Sequence, residues 1–156
     1  MRHLLDTGVL LRLVSPVDPL HETVRAAVQK LCDTGWQPCC AVQNIAEFWN
    51  VTTRPSDARN GLGLPPSEAK RRLETLRQLV EVLVESEASF AVWLGYLLDP
   101  GVRGVQVHDA RLAGVMVAHG VQRILTLNPG DFARYPSIVA VTPESVLTVD
   151  VPGVAE

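Results

Sequence analysis

Aromatic residues are scarce in this chain, 5% of its 156 residues, so a packed core has to be aliphatic, drawn from Leu, Val and Ala. Cysteine is sparse as well: Cys32, Cys39 and Cys40, an odd number that includes an adjacent pair. That argues against a disulfide framework, and no C-x-x-C stands at zinc spacing from a histidine. A reducing, cytoplasmic setting is expected. Long apolar runs are missing too. The first one is broken by Asp6 and Arg12, and nothing reaches the roughly 18 residues a membrane span needs, so neither a signal peptide nor a membrane anchor is expected. There is no basic surplus either. The net charge is −3, unlike that of a conventional nucleic-acid groove binder. An enzyme that gathers carboxylates around metal ions, however, can be acidic in sequence and positive once loaded.

What remains is a chain that is 47% hydrophobic and 20% charged, enough to build one aliphatic core and without the composition of a disordered segment. Its charge is uneven. Arg54, Arg59, Lys70, Arg71, Arg72 and Arg77 face only Asp57, Glu68 and Glu74 between positions 54 and 77, which leaves that segment at +3 and the rest at −6. Arg54, Lys70, Arg71 and Arg72 are therefore candidates to guide a phosphate backbone. The plainer alternative is a solvated helix face, with Glu68 four residues before Arg72.

Apolar periodicity and breakers give short strands at 3–5, 36–40, 82–84, 123–127 and 138–141. Helices are expected at 9–14, from a cap at Asp18 to 31, at 41–53, from Pro65–Pro66 to 80, at 88–98 and at 108–119. Strands alternating with helices predict an α/β protein: a three-layer α/β/α sandwich with a central, mostly parallel sheet. Residues 1–150 read as a single domain and 151–156 as a C-terminal tail.

In an open parallel sheet the site lies outside the carboxyl ends of the strands. Asp6 falls there after the first strand, and Asp131 falls in the loop after the strand at 123–127. A helix N-cap for Asp6 and a surface turn for Asp131, beside Pro129–Gly130, are the alternatives. Asp109 shares a helical stripe with Leu112, Ala113 and Met116, which aims its carboxylate inward. Such a group needs a cation or donors, unless it is simply an N-cap. Glu47 sits in a polar arc with Gln43 and Asn50, and periodicity alone turns it to solvent.

Four fragments nevertheless recur in a known order: Leu4-Leu5-Asp6-Thr7-Gly8-Val9-Leu10-Leu11, Asn44-Ile45-Ala46-Glu47-Phe48, His108-Asp109-Ala110-Arg111-Leu112-Ala113, and Leu125-Thr126-Leu127-Asn128-Pro129-Gly130-Asp131-Phe132. Together they resemble the PIN-domain family, in particular its VapC-type toxins, over essentially the whole chain. The resemblance implies a compact α/β/α fold and a metal-dependent ribonuclease, the toxin of a toxin–antitoxin pair. It also implies three or four carboxylates holding Mg²⁺ or Mn²⁺. Asp6, Glu47 and Asp109 match the three central acids by position, and Thr7 matches the hydroxyl residue beside the first. Gly8 stands where members commonly carry Asn or Ser. Asn128 stands where many carry Asp, so the fourth position falls either to Asp131 reaching in or to a weaker second metal.

Water activated by metal and attacking phosphorus needs no nucleophilic side chain. Asp6 and Asp109 are the expected principal ligands, with Glu47 as a ligand or a holder of the attacking water. The implied partners are an RNA substrate and an antitoxin protein. Leu76, Leu79, Val92, Trp93, Leu94, Leu97 and Leu98 exceed what one small core needs, so part of this surface is expected to bury in a homodimer or under an antitoxin helix lying in a groove. Two rivals differ in kind. A PIN-like domain that has lost metal affinity would bind RNA or protein without cutting, and Asn128 favours it. Asp6-Thr7-Gly8 is also similar to the aspartic-protease motif, but that fold is almost wholly β and this chain is rich in helical stripes.

Overall fold

The computed structural model describes residues 1–98 and 101–148; the expected tail at 151–156 lies outside them. Five strands are found: β1 (Arg2–Leu5), β2 (Gln37–Ala41), β3 (Glu81–Leu83), β4 (Arg123–Leu125) and β5 (Val139–Val141). The helices are α1 (Thr7–Leu13), α2 (His21–Asp33), α3 (Val42–Thr53), α4 (Pro66–Leu79), α5 (Glu87–Leu97), α6 (Gln106–Ala118) and α7 (Pro143–Thr148). The strands form one sheet in the order β3-β2-β1-β4-β5, and every pairing is parallel. The expected α/β/α sandwich is present, with a sheet wholly rather than mostly parallel.

Alternation along each strand splits the core in two. Leu4, Cys39 and Ile124 pack on one face with Ala113 and Met116 of α6, while their neighbours Leu5, Cys40 and Leu125 pack on the other with Leu10, Leu31 and Phe48. Cys39 and Cys40 are thus buried free thiols on opposite faces, and burial pushes both up to about 12. On the first face the middle of α6 is fully covered: Leu112 to Met116 are all buried, and its polar residues, Gln106, His108, Asp109 and Arg111, are gathered in its first half. Contact there is close because Gly114 has no side chain. A Cβ at that position would lie 2.9 Å from the Ser89 carbonyl oxygen of α5.

Four expectations change. The helix at 108–119 begins two residues earlier, at Gln106, so Asp109 is not its N-cap; Val105 is. The helix after Asp18 starts at His21, and Asp18 serves the turn before it by accepting from the Leu20 amide at 2.9 Å. Helix α7 was not expected. Its start is signalled by Thr142 and Ser145, whose side chains accept from each other's backbone amides, with Pro143 at the first helical position. Leu76, counted as surplus apolar surface, lies fully in the core. The large apolar groups left exposed on α4, on α5 and at the C-cap of α5 are Leu79, Phe90, Leu94 and Leu98, the last three forming a stripe at four-residue spacing.

Candidate active site

Strand order reverses direction between β1 and β4, which makes their carboxyl ends the topological switch point where open α/β sheets place ligands. Asp6 follows β1 directly, and its backbone amide continues the ladder by donating to the Leu125 carbonyl at 3.0 Å. One carboxylate oxygen accepts from the Thr7 amide at 2.7 Å, and the other accepts from the Thr126 hydroxyl at 2.8 Å. The cap and the site are therefore the same residue: Asp6 is the N-cap of α1 and also faces the neighbouring acids. Burial is the main reason its pKa is raised. The Glu47 and Asp131 charges add to the rise, against the two hydrogen bonds.

Glu47 is half-buried rather than turned fully to solvent. Its polar arc on α3 turns toward the ends of α1 and α6, and Gln43 beside it is buried. Glu47 accepts from the Thr7 hydroxyl at 2.6 Å and from the Gln43 amide at 2.8 Å, and the same amide group also donates to the His108 carbonyl at 3.0 Å. Thr7 in turn accepts from the fully buried Asn44 amide at 3.0 Å, whose oxygen takes the Ala41 amide at the start of α3. A short relay thus fixes α1, α3 and the Glu47 carboxylate to one another.

Asp109, in the first turns of α6, is half-buried with its pKa pushed up to about 6. Burial is the largest cause, followed by the charges of Asp131, Asp6 and Glu47, with His108 opposing. The four acids named from sequence therefore share one electrostatic neighbourhood, drawn from four separate segments. Asp131 belongs to it although it is exposed, and the one-turn 3₁₀ helix at Pro129–Phe132 is what turns it back. Asn128, just before that turn, is exposed. Its backbone amide donates to the Thr126 hydroxyl at 3.1 Å and its carbonyl accepts from the Asp131 amide.

As placed, no set of three or more His, Cys, Asp or Glu side chains among the described residues could hold a metal ion. The donor set itself suits a hard divalent cation, since Asp6, Glu47, Asp109 and Asp131 offer only carboxylate oxygens. Their mutual repulsion is what such an ion relieves.

The basic candidates are engaged locally. Arg71 and Arg72 pair with Glu68, Lys70 with Glu74, and the Arg54 guanidinium donates to the Arg59 carbonyl. Sequence reasoning missed Thr126 and Gln43, which donate to the acids, Asn44, which holds Thr7, and Arg111, whose pKa is raised chiefly by its bond to Glu85 with Glu47 adding to it. Thr126 and Asn44 act across 120 and 37 positions and Arg111 across elements, which periodicity does not see, whereas Gln43 reaches Glu47 at the four-residue spacing of one helix.

A scan against family models and a search of curated proteins gave no match to the sequence. Solved structures do match: the chain has the PIN-type fold of VapC-like toxins. VapBC2 from Rickettsia felis, bound to a DNA fragment from its promoter, is similar with a TM-score of 0.69 at 13% identity, over 91% of this chain and 98% of that one. VapC20 from Mycobacterium tuberculosis, a toxin that cleaves the sarcin–ricin loop, matches with a TM-score of 0.57 at 18% identity, over 78% and 86%. FitAcB from Neisseria gonorrhoeae gives 0.63 at 21%, over 91% and 98%. At these identities the likeness establishes the fold. Among the described residues no helix is long and apolar enough to cross a membrane.

Proposed function

We propose that the protein is a metal-dependent ribonuclease that hydrolyses RNA phosphodiester bonds, acting in the cytoplasm as the toxin of a toxin–antitoxin pair. The observation that carries this reading is the meeting of Asp6, Glu47, Asp109 and Asp131 at the switch point, where Asp109 feels the charges of the other three and Asp6 those of Glu47 and Asp131. It is supported by the fold shared with VapC20, described as cleaving the sarcin–ricin loop, and with toxin–antitoxin complexes of the VapBC and FitAB kinds.

Asp6 and Asp109 would be the principal holders of Mg²⁺ or Mn²⁺, with Glu47 and Asp131 completing the set. When bound, the ion would polarise a phosphoryl oxygen and lower the pKa of a water. The chain's own part is positioning. Thr126 and the Thr7 amide fix both oxygens of Asp6, while Gln43 and the Thr7 hydroxyl fix both oxygens of Glu47. An antitoxin and a second copy are the proposed protein partners; the exposed stripe Phe90, Leu94 and Leu98 suits the second copy.

Purified protein should cut single-stranded RNA with Mn²⁺ or Mg²⁺, and cutting should stop with EDTA and in Asp109→Asn. Equal cutting in chelator contradicts the mechanism. A second reading, a PIN-like domain that binds without cutting, is favoured by Asn128 and by the absence of a ready-made metal-holding set. It predicts RNA or protein binding with no cleavage under any divalent ion.

A further inference from the structure

Beside the Glu47 carboxylate opens a cavity of about 240 Å³, lined by Val42, Ala46, Glu47, Asn50, His108 and Arg111 among others. Of the four acids Glu47 alone lines it, and Val42 and Ala46 give it an apolar floor. Its far wall carries a cation unlike those of the basic segment. Arg111 lies on α6 two residues beyond Asp109, and its partner Glu85 comes from the turn between β3 and α5. The pairing is bidentate: Nε donates at 2.6 Å and Nη2 at 3.0 Å. The guanidinium also lies over the Trp93 ring, 5.8 Å from its centre. Two of its three nitrogens are thus fixed by one carboxylate, and among the described residues no acceptor takes Nη1. The side chain is 40% exposed, and Glu47 is close enough to act on its charge. Held in this way, a guanidinium loses little entropy when it meets a phosphate.

We propose that Arg111 is a substrate-positioning residue. It holds the phosphate of the nucleotide next to the one that is cut, while the base of that nucleotide rests on the Val42–Ala46 floor. A base can rest on that floor only when it is unpaired and unstacked, so the substrate is single-stranded at this position. The inference rests on the ribonuclease reading and specifies its substrate.

The test is fluorescence anisotropy of a labelled single-stranded oligoribonucleotide in EDTA, where cutting stops, across a salt series. Arg111→Gln should weaken binding about tenfold at low salt, as expected for a lost charge-assisted hydrogen bond. It should also flatten the slope of log affinity against log salt by about 0.7. Glu85→Gln keeps the guanidinium and removes a competing carboxylate, so it should bind as well as the parent or better. Melting curves of both variants establish that they are folded. If Arg111→Gln binds like the parent, or if both variants weaken binding equally, Arg111 is only Glu85's structural partner and the inference fails while the ribonuclease reading stands. Equal sensitivity of a fully paired RNA would overturn the single-strand assignment. Parent protein that neither binds nor cuts RNA with Mn²⁺ present would overturn the ribonuclease reading and this inference together.

Discussion

Asp109 binds its proton more tightly in the folded protein than in the unfolded chain, because burial and three neighbouring carboxylates lift its pKa to about 6. Its favourable contribution is present below the ordinary carboxylate range and is lost as pH rises through about 6. In EDTA, Asp109→Asn should therefore melt higher than the parent at pH 8, by about 2–4 °C. This corresponds to roughly 1 kcal/mol once the shift is discounted for partial exposure. Near pH 4 the two should melt together. A large drop at pH 8 would mean that the carboxylate supports the fold. Thr7→Val tests the relay in the opposite sense. It strips Glu47 of a donor and leaves the buried Asn44 amide without its acceptor, so stability should fall by about 1–3 kcal/mol in a denaturant titration. An unchanged midpoint would show that the relay is not formed. At the fourth position, Asp131→Ala should weaken Mn²⁺ binding about tenfold and Asn128→Ala much less, because Asp131 acts on both buried acids. The opposite ranking by calorimetry would assign the site edge to Asn128. Asp6 and Asp109 were legible in the sequence because strand end and core stripe each aim a carboxylate at the interior. Glu47 was not. A polar arc facing other polar groups has the same periodicity as one facing water.

At the scale of elements, α5 and α6 show how a glycine can be needed for packing rather than for a turn. Alanine favours a helix over glycine by about 1 kcal/mol, yet a Cβ at Gly114 would stand 2.9 Å from the Ser89 carbonyl oxygen and 3.1 Å from the Trp93 Cβ. Gly114→Ala should lower stability by about 1–3 kcal/mol despite the better propensity, seen as a lower thermal midpoint. A rise would show that the helices can separate at no cost. The same pair of helices carries Arg111 and the wall of the Glu47 cavity, so the variant should disturb that side first. Most elements were legible because apolar stripes and breakers agree. α6 was legible as a helix but not in its start, since Gly104 and Val105 give no capping side chain. α7 was readable from Thr142-Pro143 and Ser145, but six residues hold too little periodicity to stand out.

For the whole molecule, the sheet order decides where chemistry is possible. Placing β1 at the centre, between β2 and β4, brings residues as distant as Asp6 and Thr126 to within 2.8 Å at the switch point. On the proposed reading, topology rather than bulk charge is how a chain of net charge −3 could act on RNA: four of its 17 acids, Asp6, Glu47, Asp109 and Asp131, are collected at one edge. The exposed stripe on α5 belongs to the same scale. If it joins two copies, light scattering should give a dimer at micromolar concentration and a monomer for Leu94→Glu. A parent that stays monomeric would remove the stripe from the account. The central claim is that the four acids form one metal site, and calorimetric titration of Mn²⁺ into the apo protein tests it most directly. Saturable binding to the parent that is abolished in both Asp6→Asn and Asp109→Asn, each still folded, is the predicted result. No binding by the parent, or the same affinity in all three proteins, would contradict it.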